Sequence, residues 1–213
     1  MNLLVKIATT IEVIAFLVSL VTWYKYKHSV LKYFPVYLGL IAVLEMYCMF
    51  YYKTGNVWLY NILNVFEFNF LAFIFWNYFQ PCNRKALCLF LIIYNSVTIG
   101  NYLFKVQDFT VEPISHSYVL SSFFLIILIL LLFNQILRSN VRFAEIHRNL
   151  VFWICLAFLI YLATSLPMLA ITSWEDTLGK FRFGLVYLLG IGVLLKNILF
   201  IFGFLWSKKT FIY

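Results

Sequence analysis

The sequence predicts an all-α fold, a polytopic seven-transmembrane-helix bundle with its N-terminus outside and its C-terminus cytoplasmic. Three observations carry that expectation. Of the 213 residues, 64% are hydrophobic and only 11% charged, against about 45–50% and about 25% in ordinary soluble domains. The apolar residues fall in seven continuous runs. The Lys and Arg residues between the runs alternate in number from one side to the other. Together these exclude a soluble globular domain, a disordered tail, a coiled coil and a disulfide-rich secreted module.

A helix needs about 20 mostly apolar residues to cross the hydrocarbon core. The first run, about 3–24, holds Lys6 and Glu12. It is expected to stay in the mature protein rather than act as a cleavable signal peptide, because the basic cluster follows the apolar stretch and no small-residue cleavage site is evident. The second, about 33–52, carries Glu45 near its outer end, and the third, about 58–79, is the most polar. The fourth, about 86–104, contains Gly100, and the sixth, about 150–172, contains Pro167; both suggest local bends. The fifth is about 117–137, and the seventh, about 183–206, carries Lys196. Continuous rather than alternating runs exclude a β-barrel. Connections of about a dozen residues or fewer leave no room for a soluble catalytic domain, so residues 1–213 read as a single integral membrane domain.

Orientation follows from the basic residues. One side carries Lys25, Lys27, Lys32, Arg84, Lys85, Arg138, Arg142, Arg148, Lys208 and Lys209, and should be cytoplasmic. The other carries Lys6, Lys53, Lys105, Lys180 and Arg182, with Asp108, Glu112, Glu175 and Asp176. All six tryptophans (Trp23, Trp58, Trp76, Trp153, Trp174 and Trp206) lie near a run boundary, as an interfacial belt requires. The net charge of +8 is accounted for by this bias and by anionic lipid headgroups, without a nucleic-acid partner. The expected partners are membrane lipids, a second copy of the chain and a protein docking on the basic cytoplasmic face. The expected location is the inner (cytoplasmic) membrane.

Cys48, Cys82, Cys88 and Cys155 have no metal-ligand spacing with His28, His116 or His147, so neither a metal nor another cofactor is expected. The cysteines read as packing residues. No P-loop or dinucleotide fingerprint is present, no histidine lies inside a run, and both aspartates fall in outer loops. These absences set aside rhomboid-type and aspartyl intramembrane proteases.

Charge at mid-membrane is costly and marks candidate function. Glu12, Glu45, Glu67 and Lys196 all fall on the order of 10–20 Å below the outer boundary, at 1.5 Å per residue, so they can meet in one layer. Asn61, Asn64 and Glu67 share a helix face, while Asn69 points elsewhere. The plain account of the asparagines is hydrogen-bonding glue between helices. The sharper account is a polar cavity lined by Asn61, Asn64, Glu67 and Glu45, serving a channel or a ligand sensor. For Lys196 the plain account is a Lys–Glu pair, and the sharper ones are a charge in an ion path or a Schiff-base lysine.

Seven spans with Lys196 in the last resemble microbial rhodopsins, which implies a retinal-type chromophore. The sequence departs from that pattern where Gly192 replaces the usual aspartate one turn before the lysine, and where the third run has only Glu67 in place of an acid–Thr–acid set. The hexapeptide RFAEIH, from Arg142 to His147, resembles the R-x(4–6)-H motif of HEPN ribonucleases. That resemblance implies RNA cleavage in which Arg142 and His147 orient the phosphate. The loop is too short for the four-helix unit that the motif requires. Glu45 together with YNILNVFEFNFLAFIF (Tyr60–Phe75) is similar to small multi-span bacterial membrane proteins. These include the membrane accessory proteins encoded beside type VI-B CRISPR nucleases. This last resemblance implies a non-enzymatic regulator or effector of antiviral defence or signalling, and it carries over no catalytic residue.

Overall fold

The computed structural model of the protein describes residues 3–50, 56–138, 146–171 and 179–208. Among the described residues lie seven α-helices and no strand. They are α1 (Leu3–Val21), α2 (Phe34–Phe50), α3 (Val57–Tyr78), α4 (Pro81–Phe104), α5 (Ser115–Arg138), α6 (Leu150–Ile171) and α7 (Gly179–Trp206). Short 3-10 turns, Trp23–Lys25 and Val30–Tyr33, join α1 to α2. Among the described residues each expected run overlaps one helix.

Among the described residues six stretches are long and apolar enough to cross a membrane: Val30–Cys48, Val57–Tyr78, Pro81–Phe104, Ser115–Arg138, Leu150–Pro167 and Tyr187–Trp206. The protein is thus a helical, multi-pass membrane protein. Two boundaries differ from expectation for physical reasons. α4 begins at Pro81 rather than near residue 86, because a proline at the first helical position lacks only an N–H that would go unpaired anyway. α1 stops at Val21, short of residue 24, where the chain tightens into the 3-10 turn at Trp23–Lys25. Pro167 sits inside α6 without ending it. Trp58, Trp76, Trp153 and Trp206 lie in the first or last turn of a helix, and Trp23 just beyond one. Trp174 lies outside the described residues.

The chain forms two compact units, one of residues 1–46 with 136–213 and one of residues 47–135. In the first unit α7 packs along both α1 and α6. Asn197 reaches Glu12, and Lys25 reaches the carbonyls of Phe204 and Leu205, so α1 and α7 run parallel. Arg148 meets Lys208, Trp153 meets Phe202, and Phe158 meets Phe200, so α6 runs antiparallel to α7. The contact is close because Gly192 has no side chain: a Cβ there would fall 1.8 Å from Thr164 Oγ1. Buried rings pack between α2, α6 and α7. Phe34 packs edge-on to Phe200 at 5.3 Å, Phe158 lies 5.5 Å from Phe200, and Tyr26 lies 5.6 Å from Phe204. Lys25 Nζ closes the end of α7 by donating to Phe204 O at 3.0 Å and Leu205 O at 2.9 Å, which satisfies two terminal carbonyls.

In the second unit α3, α4 and α5 meet through rings and amides. Phe68 lies tilted against Tyr94 with ring centroids 4.1 Å apart, and Phe90 lies parallel to Phe124 at 4.3 Å. At one end Gln135 joins the α3–α4 turn. Its Oε1 accepts from Gln80 N and Asn83 Nδ2, each at 3.0 Å, and its Nε2 donates to Tyr78 O at 2.9 Å.

Candidate functional site

The six residues expected to form a polar layer divide between the units: Glu12, Glu45 and Lys196 in the first, Asn61, Asn64 and Glu67 in the second. In the first unit, Lys196 and Asn197 are neighbours on α7 and so diverge by about 100°. Asn197 turns to α1, donating from Nδ2 to Glu12 Oε1 at 3.3 Å and to Val193 O at 3.0 Å. Lys196 turns to α6, with Nζ 4.3 Å from the centroid of the Tyr161 ring and 6.0 Å from that of Phe158. Lys196 is only 5% exposed and Glu12 7%. The position is deep, since Lys196 lies ten residues, on the order of 15 Å, from the end of α7. A cation over a desolvated aromatic face gains about 2 kcal/mol. That offsets only part of the cost of removing the ammonium from water. Glu45 stands half-buried on α2.

In the second unit the asparagines have separate tasks. Asn61 holds the connection between α4 and α5: its Nδ2 donates to Phe109 O at 2.8 Å and Glu112 O at 2.9 Å, and its Oδ1 accepts from Ile114 N at 3.1 Å. With both donor hydrogens and its oxygen engaged by backbone, Asn61 fits the account of structural glue. Asn101 and Gln107 lock the same connection, with Gln107 N donating to Asn101 Oδ1 at 3.0 Å and Gln107 Nε2 to Ser115 Oγ at 2.9 Å. That network lets Lys105 close α4 in the left-handed conformation, φ 50°, without glycine.

Asn64 lies between helices, donating to Tyr94 Oη at 3.4 Å and accepting from Ser121 Oγ at 3.2 Å. Asn69, on a different face as expected, exchanges amide hydrogen bonds with Asn95 at 3.3 and 3.1 Å. Glu67 is half-buried and within electrostatic reach of the Tyr94 hydroxyl.

Tyr161, Tyr94, Asn101, Gln107, Gln135 and Ser121 carry no sequence signal that marks them as partners. Each lies on a different element from the polar residue it serves or sits in an otherwise ordinary run, and only the fold brings them together.

The remaining candidates stay apart. Arg142 lies outside the described residues, so the ribonuclease-like pair has no geometry. His147 lies with its ring 6.3 Å from Trp206, and its carbonyl accepts from Trp153 Nε1 at 2.7 Å. All four cysteines are free thiols. Among the described residues no three His, Cys, Asp or Glu side chains come together as a metal site. Outside the helices, Asp108 has its carboxyl held below the usual range by hydrogen bonds from the Thr110 side chain and backbone. No known protein family, curated protein or solved structure matches the chain.

Proposed function

We propose that the chain crosses the cytoplasmic membrane seven times, N-terminus outside and C-terminus in the cytoplasm. There it acts as a non-enzymatic regulator or effector of a bacterial defence or signalling system. Two features support the topology. The parallel course of α1 and α7 requires an odd number of crossings between them. The hydrogen bonds of Lys25 and Lys208 gather Lys25, Arg148 and Lys208 at one end of the first unit, where a cytoplasmic leaflet would meet them.

The functional reading is carried by one observation: Lys196, deep in α7, is buried against Tyr161, while its neighbour Asn197 holds the buried carboxylate of Glu12. Neutral residues would pack α1, α6 and α7 at lower cost, so the charges serve a change of state rather than the fold. The basic face offers the surface for a protein partner. The resemblance of Glu45 and Tyr60–Phe75 to accessory membrane proteins of RNA-targeting nucleases points to antiviral defence.

The test is phage challenge of bacteria expressing the chain with its genomic neighbours, alongside dye release from liposomes containing the purified protein. Lys196→Met and Glu12→Gln should insert normally yet lose protection at least tenfold. Full protection by both variants would reduce the centre to a structural feature. Dye release without any added ligand would make the protein an effector acting on the membrane itself.

A further inference from the structure

Where α3 turns into α4, the second unit holds an arginine fixed by two contacts. Arg84, in the first turn of α4, donates from Nε to the carbonyl of Trp76, in the last turn of α3, at 3.0 Å. Its guanidinium carbon lies over the Trp76 ring, 5.5 Å from the centroid. A hydrogen bond at one edge and a ring against one face set the plane of the group. Holding so long a side chain in one geometry costs rotamer entropy.

Closing the end of α3 accounts for Nε alone. A lysine does that work at the end of α7, where Lys25 Nζ donates to Phe204 O and Leu205 O. The guanidinium has five donors in a planar fork, and the contacts with Trp76 leave its Nη edge for a further acceptor. No carboxylate of the unit is near enough to be that acceptor. Its acids are Glu67, Asp108 and Glu112. Glu67 lies on the order of 13 Å back along α3 from Trp76, and the other two lie past the opposite end of α4, on the order of 30 Å from Arg84. The next residue, Lys85, is exposed and adds a second cation.

The surroundings of the fork are apolar. Trp76 is 41% exposed, and Phe73, one turn deeper on the same face of α3, is 48% exposed. An exposed indole at a helix end suits the headgroup level of a bilayer, where its N–H can reach an oxygen acceptor. A planar fork beside a point charge matches the oxygens of a phosphate. A free phosphate gains nothing from Phe73, whereas a lipid brings an acyl chain to cover it.

We propose that Arg84, Lys85 and Trp76 form a binding site for the phosphate of an anionic phospholipid, with an acyl chain lying along Phe73. The Nη edge of Arg84 takes two phosphate oxygens, Lys85 supplies the second charge, and the Trp76 N–H donates to the headgroup. The inference rests on the membrane reading above, and on its topology for placing the lipid in the cytoplasmic leaflet.

The test is displacement of a fluorescent phosphatidylglycerol from the full chain in detergent. Unlabelled phosphatidylglycerol should displace it, and about a tenfold excess of phosphatidylcholine should not. Arg84→Lys keeps the charge without the fork and should weaken binding at least fivefold. Lys85→Gln, a change at an exposed side chain, should weaken it at least twofold with no change in melting. Lys105→Gln, beyond the other end of α4, should bind as the unaltered protein does. Undiminished binding by Arg84→Lys overturns the site, and displacement by inorganic phosphate overturns the lipid as its occupant. The membrane reading is tested apart from binding. Extraction of the protein from cell membranes by carbonate would overturn it. Labelling of the exposed Cys82 thiol in intact cells by an impermeant reagent would reverse the topology and move the lipid to the outer leaflet.

Discussion

The two compact units solve the same problem, polar residues among apolar helices, in opposite ways. The first concentrates charge: Glu12 and Lys196 are buried in helices that meet through a glycine contact and aromatic rings. The second avoids buried charge in its framework and uses neutral amides, with Asn61, Asn64, Asn69, Asn95, Asn101, Gln107 and Gln135 bonded across elements. Amides give up less on leaving water than ions do and regain more of it in hydrogen bonds. The difference teaches that polarity in a membrane helix has two meanings. Where the polar group bonds to backbone it anchors structure, and where it is an ion against an aromatic face it costs more to bury than that contact returns.

The largest expected effect breaks the comparison at its steric end. Gly192→Ala places a Cβ 1.8 Å from Thr164 Oγ1 and 2.8 Å from its Cβ, an overlap that rotating the threonine relieves only in part. α6 and α7 must part, at a cost of about 3 kcal/mol. Thermal unfolding in detergent should show the loss, and the companion change Thr164→Ala should restore most of it. If Gly192→Ala is neutral, the first unit does not depend on close approach.

Next in size is Asn61→Ala in the second unit. It strips partners from the carbonyls of Phe109 and Glu112 and from the amide of Ile114, a loss of about 2 kcal/mol with water replacing part of the bonding at the loop. Hydrogen exchange should rise first in residues 105–114. A rise in α6 and α7 of similar size would mean that the amides of the second unit are not local anchors.

The helical, multi-pass character was legible in the sequence because it rests on hydropathy, which acts residue by residue. Asn69 could be separated from Asn61 and Asn64 because helical periodicity alone decides it. The partners were not legible. Tyr161 under Lys196 and Tyr94 beside Asn64 depend on how helices pack, and ring-rich runs such as those of α4 and α6 offer many tyrosines and phenylalanines with no pattern to choose among them. The single layer drawn from depth alone had no means of recognising that the chain divides into two units. Nor could composition show that Asn61 faces a loop backbone rather than a cavity, since that follows from the course of residues 105–114.

The smallest effect sharpens the comparison, because the first unit also holds one neutral anchor of the second unit's kind. The Tyr26 hydroxyl, between α1 and α2, donates to Ser19 O in a buried setting. Burial pushes its pKa from 10.0 up to about 12, with the Thr22 and Ser19 side chains offsetting part of the rise. A raised native pKa means that the folded state holds this proton more tightly than the unfolded state. The stabilisation is therefore complete below pH 10 and fades as pH rises from 10 to about 12. Water at the exposed Lys27 and His28 beside it keeps the contribution to on the order of 1 kcal/mol. The unaltered protein should lose that much stability across this alkaline window relative to Tyr26→Phe, which starts lower because it lacks the bond to Ser19. Parallel pH curves for the two would remove Tyr26 from the neutral anchors of the first unit.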